Sequence, residues 1–95
     1  MIFEAFRNRG VEFDRLDDRE IILDMEQRDY PYSVVLERCI NHSRAHHTLK
    51  FLNDCGVRTV NSFETANICG DKLLTSFALS KAGIPIPKNK VAYTE

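Results

Sequence analysis

A helix-like stretch, a glycine and a strand-like stretch follow one another three times in this chain, around residues 9–11, 55–57 and 82–84. Glycine commonly ends a helix because it has no Cβ and adopts the left-handed turn that follows the last helical residues. Strands that alternate with helices indicate an α/β layer fold with a mainly parallel sheet. The chain has 95 residues, which allows one small domain of this kind.

Four stretches have the pattern of strands. Residues 33–38 form a nearly continuous apolar and β-branched run, typical of a parallel strand that is covered on both faces. Residues 57–60 are the next strand, and a helix predicted over 43–55 is the crossover that would make these two strands parallel. In this helix an apolar face is predicted, which comprises Ala45, Leu49, Leu52 and Cys55. Residues 11–16 alternate between apolar and polar, which predicts a third strand in the same sheet, and residues 20–24 are a short strand candidate.

Hydroxyl and carboxylate side chains predict where three helices begin. Ser43 is placed to cap the crossover helix, and Ser62 a short helix that ends in a left-handed turn at Gly70. Asp71 is placed to cap a further helix. One face of that helix is apolar, so it should pack on an apolar surface; the face comprises Leu73, Leu74, Phe77, Ala78 and Ala82.

Composition excludes several classes of function. The net charge of −1 gives no electrostatic reason to bind nucleic acid or an anionic membrane. No apolar run approaches the ~20 residues of a membrane-spanning helix, and the first residues lack the layout of a signal peptide. Three cysteines without a CxxC pair fit reduced thiols and a cytoplasmic location. Two of them, Cys55 and Cys69, follow helical apolar positions and should be packed.

Cys39, His42 and His46 have a spacing that raises the question of a metal site. A closed zinc site needs four ligands, and His47 points some 100° away from its neighbour on a helix. We therefore expect ordinary helix-surface histidines and assign no metal ligand. The chain also contains neither a GxGxxG nor a GxxxxGK[ST] phosphate loop.

Short strings in the second half of the chain resemble a known family. They are Val60-Asn61-Ser62, Cys69-Gly70-Asp71-Lys72, Thr75-Ser76 and Ala82-Gly83-Ile84-Pro85, and Leu36-Glu37-Arg38-Cys39 also fits. Together they resemble the junction between the first two domains of RimK/LysX-type ATP-grasp carboxylate–amine ligases. The resemblance covers roughly residues 30–95 and is greatest to the ligases that join 2-aminoadipate to a carrier protein in lysine biosynthesis. Ligases that use glutamate or act on ribosomal tails share this junction, so the resemblance leaves the amino-acid substrate open.

The resemblance implies a fold and a domain organisation. The fold is α/β, a pre-ATP-grasp (Rossmann-like) and mainly parallel sheet with flanking helices. Residues 1–62 would belong to the pre-ATP-grasp domain, residues 63–83 to a helical linker, and residues 84–95 to the first segment of an ATP-grasp domain. In this comparison the chain resembles a fragment truncated at both ends that lacks the first strand of its sheet.

The resemblance also implies a chemistry. Such ligases use ATP and Mg²⁺ to phosphorylate a carboxylate, and an amine then displaces phosphate from the acylphosphate. Lys72 matches a lysine that contacts ATP, whereas Arg38, Ser43 and Arg44 match the substrate side of the cleft. We therefore expect Lys72 to be exposed and to face the same side of the sheet as Arg38. The implied partners are an amino-acid substrate and an acidic carrier protein, and homo-oligomers are common in the family. The ligands of Mg²⁺ would lie in the missing domain, so no catalytic residue is assigned and the 95 residues alone should be inactive.

Two alternatives come from other functional classes. A non-catalytic α/β interaction or nucleotide-sensing module, similar to a receiver domain, would need an acidic pair after its first strand and an Asp at the end of a middle strand. This chain has Glu37-Arg38 at the end of its best strand, which counts against a receiver. A helix-turn-helix DNA-binding unit over residues 63–82 fits the two-helix pattern but not the charge.

Overall fold

The computed structural model describes residues 1–94, and Glu95 lies outside the described residues. In chain order the elements are α1 (Ile2–Asn8), β1 (Val35–Leu36), α2 (His42–Asp54), β2 (Thr59–Val60), α3 (Phe63–Cys69) and α4 (Lys72–Lys81). Helices that flank a parallel pair of strands confirm the predicted α/β class. Within residues 1–94, no helix is both long and apolar enough to cross a membrane.

The sheet consists of β1 and β2, which are parallel as predicted. Val35 pairs with Thr59 and Leu36 with Val60. The amide of Val35 donates to the carbonyl of Arg58 at 2.9 Å, and further hydrogen bonds continue the pairing toward Val60. The strands are shorter than the predicted 33–38 and 57–60, but α2 connects them as the expected crossover.

The third strand predicted at residues 11–16 is wrong. This segment has no ladder partner among residues 1–94, and its aromatic side chain packs against α1 instead, while Val11 and Leu16 are exposed. The ring of Phe13 stacks on Phe3 with centroids 5.2 Å apart and lies 5.3 Å from the ring of Phe6. Of this alternating segment, Phe13 therefore packs against a short helix, and the segment pairs with no strand.

The strand candidate at residues 20–24 is also wrong, because local aspartates fold this region into turns. The amides of Glu20 and Ile21 both donate to the carbonyl of Asp17 at 3.0 Å. At the other end, the carboxylate of Asp24 accepts from the amide of Glu26 at 2.9 Å. Aspartate side chains that bond nearby amides compete with the ladder of a sheet.

The hydrophobic core is built around α2. Ala45, Leu49 and Leu52 lie on one face of this helix and are buried, as the sequence predicts, and Leu49 is only 1% exposed. Phe51 and Val57 complete the buried apolar set. Leu23, Tyr30, Val35 and Cys55 pack against it.

The two faces of the sheet have different surroundings. Val35 packs on the core and Thr59 is buried, so this face of the strands lies toward α2. Because successive side chains alternate along a strand, Val34, Leu36 and Val60 point the other way. These three side chains are between 42% and 49% exposed within the described chain.

Glycines follow four of the helices but do not share one conformation. Gly10, Gly56 and Gly83 have positive φ values of 68°, 82° and 75°. Gly70, which ends α3, has φ −79°, so the predicted left-handed turn there is wrong. A Cβ at Gly70 would lie 2.7 Å from Cε1 of His42, which indicates that space rather than backbone angle favours glycine at this position.

The apolar face predicted for α4 is only partly covered. Leu73 and Leu74 are half-buried, whereas Phe77 is 56% exposed and Ala78 and Ala82 are exposed. Similarly, Cys55 packs on the core, but Cys69 at the end of α3 is exposed, so the expectation that Cys69 is packed is wrong.

The described chain is open in shape. Its radius of gyration is 17.0 Å, against about 12 Å for a compact domain of this length. Its accessible surface is 8388 Å², against about 5,600 Å² for a compact protein of this mass. The elements outside the α2-centred core therefore extend from it rather than close around it.

Candidate functional site

The carboxyl end of β1 leads into a tightly bonded turn. The carboxylate of Glu37 accepts from the amide of Cys39, and the thiol of Cys39 donates to the carbonyl of Asn41 at 3.3 Å. The side chain of Asn41 then accepts from the amide of Arg44 at 2.9 Å and so caps α2. The prediction that Ser43 is the cap is wrong, because the helix begins one residue earlier and Ser43 lies in its first turn.

Arg38 is the free cation of this turn. It follows β1 by two residues and is exposed, and it forms no salt bridge with the rest of residues 1–94. Ligands of open parallel sheets gather at the carboxyl ends of the strands. A guanidinium in this place is available to a carboxylate or phosphate through its bidentate fork.

Arg44 is already engaged within the chain. Its Nε donates to the carboxylate of Asp18 at 2.5 Å, and the two side chains are 49% and 30% exposed. The nearby Cys39 thiol, and then the bond from Arg44, lower the pKa of the Asp18 carboxyl below its usual range. Burial, and then the Asp18 carboxylate, raises the pKa of Cys39.

A groove of about 220 Å³ lies beside this ion pair. Its lining combines the two charges with apolar and polar side chains, namely Asp18, Ile21, Leu23, Arg44, His47 and Thr48. Sequence reasoning missed Asp18, which is 26 positions from Arg44. No local pattern distinguishes it from the neighbouring Asp17, whose pKa is lowered by hydrogen bonds from Arg19 instead.

Lys72 opens α4 and is exposed, as predicted. Asp71 caps this helix as predicted, since its carboxylate accepts from the amides of Leu73 and Leu74 at 2.9 and 3.0 Å. The N-terminal end of a helix carries partial positive charge, to which the lysine adds. Lys72 forms no salt bridge among the described residues, so its ammonium group is available to an anion. That Lys72 and Arg38 face the same side of the sheet stays a prediction.

Hydrogen bonds fix the path from β2 to α4. Ser62 caps α3 as predicted, and its hydroxyl accepts from the amide of Thr65 at 3.2 Å. The hydroxyl of Thr75 lies 2.7 Å from the carbonyl of Ile68 and 2.8 Å from that of Asp71. These contacts hold the start of α4, and with it Lys72, against the end of α3.

Metal-ligating side chains are sparse in this region. Over residues 1–94, no three His, Cys, Asp or Glu side chains are grouped so as to hold a metal ion. His42 and His46 do lie together, with ring centroids 5.2 Å apart, whereas neither joins Cys39 in a larger group.

The sequence matches a characterised domain family. The profile of the LysX preATP-grasp domain matches residues 1–68, which contain α1, β1, α2, β2 and nearly all of α3. The chain belongs to the LysX preATP-grasp domain family. This agrees with the ligase resemblance of the sequence motifs and disfavours the receiver-like and DNA-binding alternatives.

Curated relatives carry ligase names. The chain is 33% identical over 92 residues to the glutamate–LysW ligase ArgX of Sulfurisphaera tokodaii, and 33% identical over 92 residues to ArgX of Sulfolobus acidocaldarius. Each match covers 97% of this chain and 33% of the relative. The α-aminoadipate–LysW ligase LysX of S. tokodaii is 37% identical over 62 residues, which is 65% of this chain and 22% of that protein.

The chain thus spans about a third of the length of the ArgX relatives. Its relatives are ligases named for the carrier LysW, so the family is one of carrier-protein amino-acid ligases. The name of the matched domain family refers to the ATP-grasp class.

Proposed function

We propose that this chain is the pre-ATP-grasp part of an ATP-dependent ligase that joins an amino acid to a LysW-type carrier protein. The observation that carries the proposal is membership of the LysX preATP-grasp family over residues 1–68. The reaction proceeds in two stages. A carboxylate of the carrier is phosphorylated by ATP, and the amine of the amino acid then displaces phosphate from the acylphosphate.

The proposed organisation follows the sequence motifs. Residues 1–62 form the pre-ATP-grasp domain, residues 63–83 are the helical linker, and residues 84–95 begin the ATP-grasp domain, with Glu95 outside the described residues. In this arrangement the substrates lie between this chain and the other two thirds of the ligase.

Lys72 is the proposed ATP contact. Its support is an exposed ammonium group at the capped N-terminus of α4, where the helix dipole also favours phosphate. The described residues offer no group of three carboxylate, His or Cys ligands. The proposal therefore places the ligands of Mg²⁺ in the remainder of the ligase, where the ion would neutralise phosphate charge.

Arg38, Ser43 and Arg44 are the proposed substrate contacts. Arg38 is the foremost of them, because its guanidinium has no carboxylate partner within residues 1–94. Arg44 contributes through the nitrogens that its bond to Asp18 leaves free. Ser43 lies in the first turn of α2, close in sequence to both arginines.

The proposed amino acid is 2-aminoadipate, which makes the pathway lysine biosynthesis. Its support is the motif resemblance and the 37% identity to the α-aminoadipate–LysW ligase. Glutamate is a second candidate, because the two glutamate–LysW ligases match 97% of the chain rather than 65%. In both cases the proposed partner is a LysW-type carrier. Homo-oligomerisation and a cytoplasmic location stay predictions.

A chimera tests the proposal. Residues 1–95 would replace the matching third of ArgX from S. acidocaldarius, and ATP-dependent loading of LysW would be measured with 2-aminoadipate and with glutamate. We expect activity with one of the two amino acids. A chimera that is folded by circular dichroism, yet loads neither while the parent ArgX is active, contradicts the proposal.

The same chimera tests the site. Lys72→Ala should weaken the apparent affinity for ATP about tenfold or more, because it removes a charged hydrogen bond to phosphate. Lys81 lies in the last turn of the same helix and provides the matched control. Equal losses from Lys72→Ala and Lys81→Ala would remove Lys72 from the nucleotide site.

A further inference from the structure

The ring of His42 lies where the first turn of α2 meets the end of α3. A Cβ at Gly70 would be 2.7 Å from Cε1 and 3.5 Å from Nδ1 of this ring, so the two residues are in contact. Gly70 ends α3, and Lys72 opens α4. Consecutive Cα atoms are about 3.8 Å apart, so the Cα of Lys72 lies within about 7.6 Å of that of Gly70. His42 therefore contacts the corner between the two helices, residues 70–72, close to the proposed ATP contact.

Hydrogen bonds hold this α3–α4 corner together. The amide of Asp71 donates to the carbonyl of Ile68 at 3.3 Å. The hydroxyl of Thr75 lies 2.7 Å from the same carbonyl and 2.8 Å from the carbonyl of Asp71. The carboxylate of Asp71 caps the first turn of α4. A side chain that restrains Gly70 therefore also restrains the start of α4, which includes Lys72.

Neighbouring rings restrain His42 itself. The centroids of the His42 and His46 rings are 5.2 Å apart. His46 packs edge-on against Phe63, with centroids 4.6 Å apart. Phe63 is the first residue of α3 and Gly70 its C-cap. The three rings therefore form a row along α3, and His42, although exposed, is in contact at the end of that row nearest Gly70.

The chain around His42 carries the proposed substrate contacts. Ser43 and Arg44 are the next two residues of the first turn of α2, and Arg38 precedes that turn. The bond from Arg44 to Asp18 ties the same turn to the segment before the core. The contact between His42 and Gly70 thus joins the segment with the proposed substrate contacts to the corner with the proposed ATP contact.

We propose that His42 is a positioning residue, whose ring holds the α3–α4 corner, and with it Lys72, in place against the first turn of α2. This rests on the proposed function, since it takes Lys72 as the ATP contact. A backbone that is already held in place loses less freedom when phosphate binds, so the ring supports the affinity for ATP without touching the nucleotide. The role depends on the shape of the ring and not on its nitrogens.

The first test needs no ligase activity. Relaxation of ¹⁵N nuclei in the purified 95-residue protein measures the backbone order at Asp71 and Lys72. In His42→Ala we expect the order parameters there to fall from about 0.85, the value of a rigid backbone, toward about 0.6, while that of the buried Leu49 stays high.

Two further variants make this measurement specific. His42→Phe keeps a ring at the position and should behave as the parent does. His47→Ala removes another exposed histidine of α2, one that lines the groove beside Asp18, and should leave the corner unchanged. Equal order at Lys72 in the parent and in His42→Ala, or the same loss of order in His47→Ala, would overturn the proposal.

The second test uses the chimera with ArgX. His42→Ala should raise the KM for ATP about two- to fivefold, the range of one exposed charge contact, and His42→Phe should restore it. In the Lys72→Ala background, His42→Ala should have no further effect, because His42 acts through Lys72. Asn67→Ala, at an exposed position of α3, is the control.

The outcomes of the second test separate this proposal from the proposed function. Increases in KM that add up in the double variant would show that His42 acts by another route and would overturn the proposal. An inactive chimera would contradict the proposed function, and the relaxation measurement would still decide whether His42 holds the corner.

Discussion

The bond between Asp18 and Arg44 joins the turn before the core to the first turn of α2. Asp18 accepts from Nε of Arg44, and its pKa is lowered by the Cys39 thiol and by that arginine. A carboxyl group whose pKa is lower in the folded state than in the unfolded chain stabilises the fold above the unfolded pKa, and that contribution disappears as the pH falls through the folded pKa.

Asp18→Asn is therefore predicted to be less stable than the parent at neutral pH. The difference between the two proteins should vanish as the pH falls below the unfolded Asp value of about 3.9 and through the lower folded value. Urea unfolding of both proteins at a series of pH values measures it. Asp29→Asn, at an exposed position, is the control. A difference that is independent of pH would show that the charge of Asp18 is not what stabilises the fold.

Gly70→Ala is predicted to lose about 1–3 kcal/mol of unfolding free energy, the usual cost of an overpacked methyl group. The added Cβ would meet His42 Cε1 at 2.7 Å and the carbonyl of Ala66 at 2.9 Å. Thermal unfolding measures the loss. The double variant Gly70→Ala/His42→Ala should recover part of it. No recovery would indicate that the backbone carbonyl, rather than the histidine ring, is the obstacle.

Residue-level predictions from the sequence succeeded where the interaction is local. Ser62 and Asp71 cap their helices as expected, because a cap bonds amides two or three residues away. Ser43 failed because Asn41, an equally good cap, lies two residues earlier and starts the helix sooner. Gly70 contacts His42, which lies on a different helix. Because the two residues are far apart in the sequence, no local pattern predicts this contact.

Among the elements, α2 has the central place, and one of its polar side chains organises the connection that follows. The amide nitrogen of Asn53 donates to the carbonyl of Val57 at 3.0 Å and to the hydroxyl of Thr59 at 2.9 Å. Its oxygen accepts from the amide of Phe63 at 2.8 Å. A single residue thus links the end of α2, the strand β2 and the start of α3.

Asn53→Ala is predicted to lose about 1–3 kcal/mol of stability, because it leaves part-buried polar groups without partners. Amide hydrogen exchange should accelerate at Phe63 more than within the middle of α2. Asn67→Ala, at an exposed position of α3, is the control and should change neither quantity. Equal protection of Phe63 in the parent and in Asn53→Ala would show that the β2–α3 connection is held by other contacts.

The elements could be predicted from the sequence where a pattern has one physical origin. The period of Ala45, Leu49 and Leu52 identified the buried face of α2, and the β1–α2–β2 order identified the parallel pair. Residues 11–16 show the limit, because alternation places Phe13 on an apolar surface without saying whether a strand or a helix supplies it. Likewise, residues 20–24 form no strand despite their apolar run, because turns at Asp17 and Asp24 bond the nearby amides.

At the scale of the whole molecule, the proposed ATP contact is one exposed side chain, Lys72, on helix α4, which lies outside the α2-centred core. Exposed charge contacts are worth ~0.3–1 kcal/mol each. A micromolar dissociation constant requires about 8 kcal/mol. The charges of this chain alone are far too few to provide it.

The 95-residue protein is therefore predicted to bind Mg-ATP no more tightly than millimolar and to catalyse no ligation alone. Calorimetric titration with Mg-ATP measures the first, and loading of LysW the second. The chimera with the rest of ArgX, which should bind ATP, is the positive control. A micromolar dissociation constant for the 95 residues would mean that their nucleotide site is complete.

The excess surface of the open chain has a consequence for how its stability must be measured. The urea dependence of unfolding scales with the surface that unfolding exposes. A chain that already exposes 8388 Å² when folded, against the about 5,600 Å² of a compact protein, has less surface left to expose. Its unfolding curve should be shallow, and its midpoint will move far for a small change in free energy. Variants of this protein are best compared by unfolding free energies that are fitted with the measured urea dependence. Comparing urea midpoints alone would exaggerate the effect of every substitution on stability.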